Sequence, residues 1–380
     1  MGSGSEYGFF VGLMSGTSMD GIDAVLAHFR KDRSLKIVAT NRCQYSPPLK
    51  RRIEALTRDQ GTPSEIGAVD AILGDEFARC TLELLRRASV SATSITAIGS
   101  HGQTVFHQVS GSSPFTMQLG DPNRVAEHTG ITTVGDFRRR DIAAGGQGAP
   151  LAPAFHQWHF STPGRDRAIV NLGGIANITC LFADGSAPVG FDTGPGNRLM
   201  DLWCHDQWGN EYDVDGYHAA QGRIQPRLIA NMLSDPYFAL RGPRSTGREY
   251  FNREWLHHYL RRYEQEKAED IQRTLAALTA ETVVQGLRQV HEPSEVFLCG
   301  GGAFNPVLVK EIRQRMGQAT VETTDSAGLD PQAVEGAAFA WLARQRLLGR
   351  TAEIARVTGA DGPRVLGALY PGAGTLSDAE

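Results

Sequence analysis

The strongest constraint in this chain is a strand pattern that occurs twice. Phe9–Met14 is apolar, Ser15–Ser18 is small and polar, and Ile22–Phe29 is apolar again, which reads as strand, tight turn, strand. Leu35–Cys43 supplies a third strand. An amphipathic helix follows, with Ile66, Val69, Leu73, Phe77, Cys80 and Leu84 recurring at helical spacing. Ile95–Gly99 and Thr132–Gly135 read as short strands, and Asp121-Pro122 as a helix start. From residue 145 or so the order begins again. It runs Ala168–Leu172, a Gly173-Gly174 turn, Ile175–Phe182, an Asp184-Gly185 hairpin signal and Val189–Phe191, with later strands at Val296–Cys299 and Thr320–Thr323. The halves start about 155 residues apart, each with a glycine-containing turn after its first strand. A single core stops growing near ~250–300 residues, so 380 residues in two similar α/β halves predict two domains. Two such halves facing each other would form a cleft, where ligands favour binding.

Composition narrows the function. A formal net charge of −4 lacks the basic excess of a general nucleic-acid binder. No window approaches the ~20 apolar residues of a membrane span, and the N-terminus has no secretory pattern. The five cysteines (Cys43, Cys80, Cys180, Cys204, Cys299) are scattered without a Cys-x-x-Cys pair, which predicts reduced thiols in a cytosolic protein. Residues 205–270 fit the repeat poorly and read as a helical insertion with a solvated face.

Several short motifs bear on chemistry. The turn Gly16-Thr17-Ser18-Met19-Asp20-Gly21-Ile22-Asp23 can aim backbone N–H groups and two hydroxyls at an anion, with a carboxylate at hand for Mg²⁺. Taken alone, it is equally a plain hairpin. Gly173-Gly174 repeats the arrangement in the second half, and two such turns could clamp one triphosphate. Gly300, Gly301 and Gly302 end an apolar run, and Asn305-Pro306 then starts a helix; a flexible loop is the plainer alternative. Asp192, at a strand end before Thr-Gly-Pro-Gly, is placed for a general base or, equally, for a helix cap. His101, Gln103, Asp121, Asn123, Arg138 and Asp141 lie near strand ends of the first half and offer donors and acceptors suited to sugar hydroxyls and a carboxylate. Structural duties compete at each: a buried histidine, a helix-capping Asp121, a solvated arginine run. Walker-type, G-x-G-x-x-G and H-E-x-x-H patterns are absent from the sequence.

In order along the chain, FFVGLMSGTSMDGIDAVLAHF (9–29), SHGQTVFH (100–107), QLGDPN (118–123), DFRRRDIAAGGQGAPLAPAFH (136–156), NLGGIANIT (171–179), GFDTGPGN (190–197) and CGGGAFNP (299–306) resemble the anhydro-N-acetylmuramic acid kinase family. That family sits within the acetate/sugar kinase, Hsp70 and actin superfamily. The resemblance implies a two-domain α/β actin-like (ribonuclease H-like) duplicated fold with an interdomain cleft. The expected domains are 1–143 plus about 352–380, and 144–351 with the insertion at 205–270.

The activity it implies is ATP-dependent. Water opens the 1,6-anhydro bridge of anhydro-N-acetylmuramic acid and O6 is phosphorylated, in cell-wall recycling in the cytoplasm. Asp192 matches the family's catalytic aspartate, Gly300–Gly302 and Asn305 its adenosine side. Glu335, in a helix expected from Asp330, resembles a residue of the superfamily's second connecting helix and is a substrate-side candidate; the adjoining Gly336, Ala337 and Ala338 suit close packing between domains. Many superfamily members carry aspartate where Ser15 stands, so the metal role is expected to pass to Asp20, with Asp23 as competitor. The implied cofactors are ATP and Mg²⁺. The implied partners are the sugar and ATP, with no nucleic acid and no membrane, and a homodimer is left open. Two alternatives remain: another amino-sugar or hexose kinase of the same fold, and an actin- or Hsp70-like ATP-driven binding protein.

Overall fold

Residues 6–16, 19–32, 34–242 and 244–373 are described by a computed structural model of the chain. It divides into two units, Met1–Phe155 with Ala333–Glu380, and His156–Gln332. The first unit contains β1 (Gly8–Ser15), β2 (Gly21–Phe29), β3 (Leu35–Gln44), β4 (Ile95–Gln108), β5 (Phe115–Leu119) and β6 (Thr133–Gly135). The second contains β7 (Arg167–Leu172), β8 (Ile175–Leu181), β9 (Val189–Pro195), β10 (Glu295–Cys299) and β11 (Thr320–Thr323). A last strand, β12 (Ala368–Tyr370), returns to the first unit.

The two sheets share one wiring. In the first, the order β3-β2-β1-β4-β6 has two antiparallel pairings followed by two parallel ones. In the second, β9-β8-β7-β10-β11 repeats that order and those senses. The duplication expected from the sequence is present. The first sheet adds β12 beside β6 and β5 beside β4, strands of 3 and 5 residues that are too short to read from alternation alone.

The helix Pro63–Ala88 buries Val69, Leu73, Phe77, Cys80 and Leu84 in the first core, the face that the spacing predicts. Thr62 caps its N-terminus by accepting from Glu65 N–H. The helix Val334–Leu347, read from the sequence as part of the second half, packs instead on β1, β2 and β4. Glycines explain how closely: a Cβ on Gly12 would lie 1.8 Å from Gly336 O, and one on Gly99 would lie 2.1 Å from Phe339 O. The close approach expected at Gly336 therefore serves the first sheet, against Val25, within one unit.

The cysteine expectation is corrected. Cys43 on β3 and Cys80 on the Pro63–Ala88 helix form a disulfide, their Cα atoms 5.9 Å apart. Sequence separation hid the pairing, which the packing of helix on sheet creates. Cys180, Cys204 and Cys299 are buried. The insertion is helical as expected, and among the described residues it contains no strand. No helix of the described residues is long and apolar enough to cross a membrane.

Candidate active site

Between β1 and β2, Met19 N–H donates to Gly16 O at 3.2 Å and closes the turn. Met19 holds a left-handed φ of 52°, and its side chain is buried in the first core, which anchors the strained residue. Thr17 and Ser18, the expected hydroxyl donors, lie outside the described residues. Ile22 is fully buried, so its side chain supports the turn from below. At Gly21 a Cβ would stand 2.4 Å from Cys43 O, so only glycine lets β2 approach β3 here. Beneath the turn Ser15 Oγ lies 2.8 Å from Gly21 O and accepts from Tyr45 Oη at 2.8 Å.

Asp20 pairs with Arg42 at 2.5 Å, and Asp23 stands 3.7 Å from the same guanidinium. Burial raises the Asp23 pKa, Arg42 opposes that, and the Asp20 charge adds to it. Two neighbouring carboxylates fit Mg²⁺, which takes one or two carboxylates and otherwise waters and phosphate oxygens. Among the described residues no group of three or more metal-ligating side chains occurs, so a metal here would depend on a nucleotide's phosphates.

His101 and Gln103 lie inside β4, not near its end, because β4 runs on to Gln108 and pairs with β5. Both are buried. Gln103 Nε2 donates to Gly16 O and Thr104 O, so its amide supports the glycine turn. His101 Nε2 lies 2.8 and 3.1 Å from two guanidinium nitrogens of Arg138, and Nδ1 lies 2.7 Å from Gly102 O. A guanidinium is only a donor. His101 is therefore neutral, with Nδ1 protonated and Nε2 accepting. Burial and the Arg138 charge hold its pKa well below the usual histidine range. Arg138 also donates to Gly148 O at 2.6 Å; burial pushes its pKa down to about 10, against the pull of Glu335 and Asp141. Glu335 thus sits in the first turn of its helix with Arg138 in electrostatic reach. Asp141 is buried and accepts from Gly148 N–H and Thr358 Oγ1, which ties down the 141–148 loop. Asp121 is a helix cap: its Oδ1 accepts from the N–H and the side chain of exposed Asn123.

In the second unit the carbonyls of Gly173 and Gly174 accept from N–H groups of Gly196, Asn197 and Arg198. Asn197, which the sequence reading passed over, also donates to Leu172 O at 2.8 Å. It borders the triple glycine: a Cβ on Gly302 would lie 2.6 Å from Asn197 Oδ1, and one on Gly300 2.3 Å from Asn171 Oδ1. Gly301–Phe304 forms a single tight turn, and Asn305 Oδ1 then caps the helix Pro306–Met316 by accepting from Val307 and Leu308 N–H. Gly216, from the insertion, faces Asn305; a Cβ there would meet Asn305 Oδ1 at 2.6 Å. Strand ends, glycine loop and insertion converge on one polar, side-chain-poor patch.

Asp192 lies within β9, which continues to Pro195, and it caps no helix. Its Oδ2 accepts from Thr246 N–H at 2.9 Å. Burial raises its pKa to about 7; the Thr246 N–H and the Arg244 charge pull it down, while Glu249 pushes it up. A carboxyl poised near neutrality is what a general base requires.

The family model described as "Anhydro-N-acetylmuramic acid kinase" matches residues 8–372. This chain belongs to the anhydro-N-acetylmuramic acid kinase family. Curated members include a protein of that name from Xanthomonas axonopodis pv. citri, 47% identical over 367 residues, covering 95% of this chain and 98% of the relative. Another, from Shewanella loihica, is 45% identical and covers 96% and 99%. Among solved structures, component A of (R)-2-hydroxyglutaryl-CoA dehydratase from Acidaminococcus fermentans aligns with TM-score 0.50 at 13% identity, over 88% of this chain and 98% of that one. It shares the fold alone. The family member described here has the two-domain α/β, actin-like architecture expected from its sequence.

Proposed function

We infer that the chain is an ATP-dependent kinase acting on anhydro-N-acetylmuramic acid, the substrate class named by its family. Water attacks C1, the C1–O6 bond breaks, and O6 takes the γ-phosphoryl group of ATP. The products are N-acetylmuramic acid 6-phosphate and ADP, and the setting is recycling of cell-wall sugar. The observation that carries the mechanism is Asp192, a desolvated carboxyl with a pKa of about 7 and one oxygen already hydrogen-bonded. It accepts the proton from water.

Phosphoryl transfer relies on positioning and charge stabilisation. We assign the phosphates to the Gly16–Asp23 turn and the Gly173-Gly174 turn, and the adenosine to Gly300–Gly302 and Asn305. Asp20 holds Mg²⁺, with Asp23 beside it; the ion would offset charge on the transferring phosphoryl oxygens. His101, Asp121, Asn123, Arg138 and Glu335 form the sugar side, with Gln103 and Asp141 bracing the loops that carry them. A cytoplasmic location belongs to the same reading, and the Cys43–Cys80 bond is the feature that pulls against it.

The test is ATP turnover with and without the anhydro-sugar, run in ¹⁸O-water. Sugar-dependent ADP release with label at C1 is expected. Turnover without label would indicate an ordinary hexose kinase, and sugar-independent hydrolysis an ATP-driven binding protein.

A further inference from the structure

A short stretch of the insertion grips Asp192 at four points. Asp192 N–H donates to Arg244 O at 3.0 Å. Asp192 O accepts from Arg244 Nε at 3.1 Å and from Tyr237 Oη at 2.8 Å. Thr246 N–H holds Oδ2. Among the described residues none hydrogen-bonds Oδ1. Arg244 is itself fixed, its guanidinium 5.0 Å from the Phe191 ring centre and 5.3 Å from that of Tyr237, with further bonds to Leu240 O and Gln289 Oε1. With main chain and one carboxylate oxygen held, the remaining oxygen has a set direction.

Thr246 carries a second signal. Its Oγ1 is buried and has no hydrogen-bond partner among the described residues. Leaving a buried hydroxyl unpaired is unfavourable, and an incoming oxygen that bonds it would remove that cost. The hydroxyl belongs to the residue whose N–H holds the Asp192 carboxyl.

We propose that Arg244 and Thr246 are positioning residues for the base, Arg244 setting the Asp192 main chain and Thr246 setting its carboxyl and, through Oγ1, the attacking water. The inference rests on Asp192 being the base. In the step, Oδ1 takes a proton from water and the water oxygen bonds to C1. The C1–O6 electron pair goes to O6, which bonds the γ-phosphorus as ADP departs with its bridging oxygen. Thr246 exchanges no proton. The charged groups facing Asp192 are Arg244, which favours the carboxylate, and Glu249, which opposes it; Tyr237 faces it as a phenol whose own pKa is raised by burial.

Thr246→Val keeps shape and N–H but removes the hydroxyl. The expected result is a kcat lower by about 10- to 100-fold, an unchanged KM for ATP, and a thermal midpoint unchanged or higher. A lower midpoint with full kcat would mark a structural hydroxyl and overturn the proposal. Arg244→Gln is expected to lower kcat and to move the acidic limb of kcat/KM to higher pH. Should that variant not fold, Tyr237→Phe, which removes one uncharged donor to the same carbonyl, decides: a lower kcat with the acidic limb unmoved supports the clamp, and a wild-type kcat overturns it. Asp192→Asn separates the two readings. Loss of turnover there, beside wild-type Thr246→Val and Arg244→Gln, would leave the base standing and refute the clamp; full turnover in Asp192→Asn would remove both.

Discussion

Ser15 Oγ lies 2.6 Å from Gln103 Oε1, joining the end of β1 to the middle of β4 under the Gly16–Asp23 turn. Ser15 is 1% exposed, and its hydroxyl already meets Gly21 O and Tyr45 Oη. Every contact is to a neutral group. The position is built for a hydroxyl, and a carboxylate there would face two oxygens at close range.

Ser15→Asp, which restores the residue common in the wider superfamily, is therefore expected to destabilise the fold by ~3 kcal/mol or more, since it buries an uncompensated charge. Denaturant midpoints at neutral pH measure this. A variant of wild-type stability with improved Mg²⁺ affinity would show that the metal role had never left Ser15.

Asp192→Asn should lose at least ~10²-fold in turnover while still binding ATP. It should also stabilise the protein at alkaline pH. The folded pKa, about 7, lies above the ordinary carboxyl value of 3.8, so the folded state favours the protonated acid. As pH rises from 3.8 to 7 the wild type loses stability that the neutral asparagine retains, and the gap is complete above 7. Thermal midpoints of the two proteins measured across that window check the sign; a gap that shrinks with rising pH would contradict it.

Asp20→Asn should raise the Mg²⁺ concentration needed for half-maximal turnover, with a smaller effect for Asp23→Asn. Arg42 bonds Asp20 more closely than Asp23, so Arg42→Met should change the metal requirement in the opposite direction by removing a cation that competes with Mg²⁺ for the carboxylate. Titration of activity with Mg²⁺ reads all three. Equal behaviour of the two aspartate variants would assign the ion to both.

Protein purified without reductant and unfolded in guanidinium should show three titratable thiols of its five cysteines, because Cys43 and Cys80 are joined. Removing a native disulfide commonly costs ~2–5 kcal/mol, so reductant should lower the unfolding midpoint. Five thiols before reduction would exclude the bond.

Much of the scaffold was legible because strands and turns are local. Apolar runs broken by glycine located β1, β2, β7 and β8, and the Pro63–Ala88 helix followed its spacing residue for residue. The continuation of β4 past His101 was hidden, since Gln103, Thr104 and His107 look like loop residues until β5 pairs with them. The site was legible in part. Asp192 and the glycine turns could be picked from the chain, but Thr246 and Arg244 lie more than fifty residues beyond Asp192, in a segment without periodicity. Asn197 was visible only as one letter of a glycine-rich loop, and its contact with Leu172 O crosses from one strand end to another.

By itself, then, the sequence determined the duplicated α/β plan, the glycine turns and the family, because each depends on residues adjacent in the chain or on motif order. Tertiary structure alone decided which helix packs on the first sheet, that Cys43 meets Cys80, that Ser15 is enclosed by neutral partners, and that burial raises the Asp192 pKa toward neutrality. Desolvation and hydrogen bonding depend on what surrounds a group in space, and distant segments supply those surroundings.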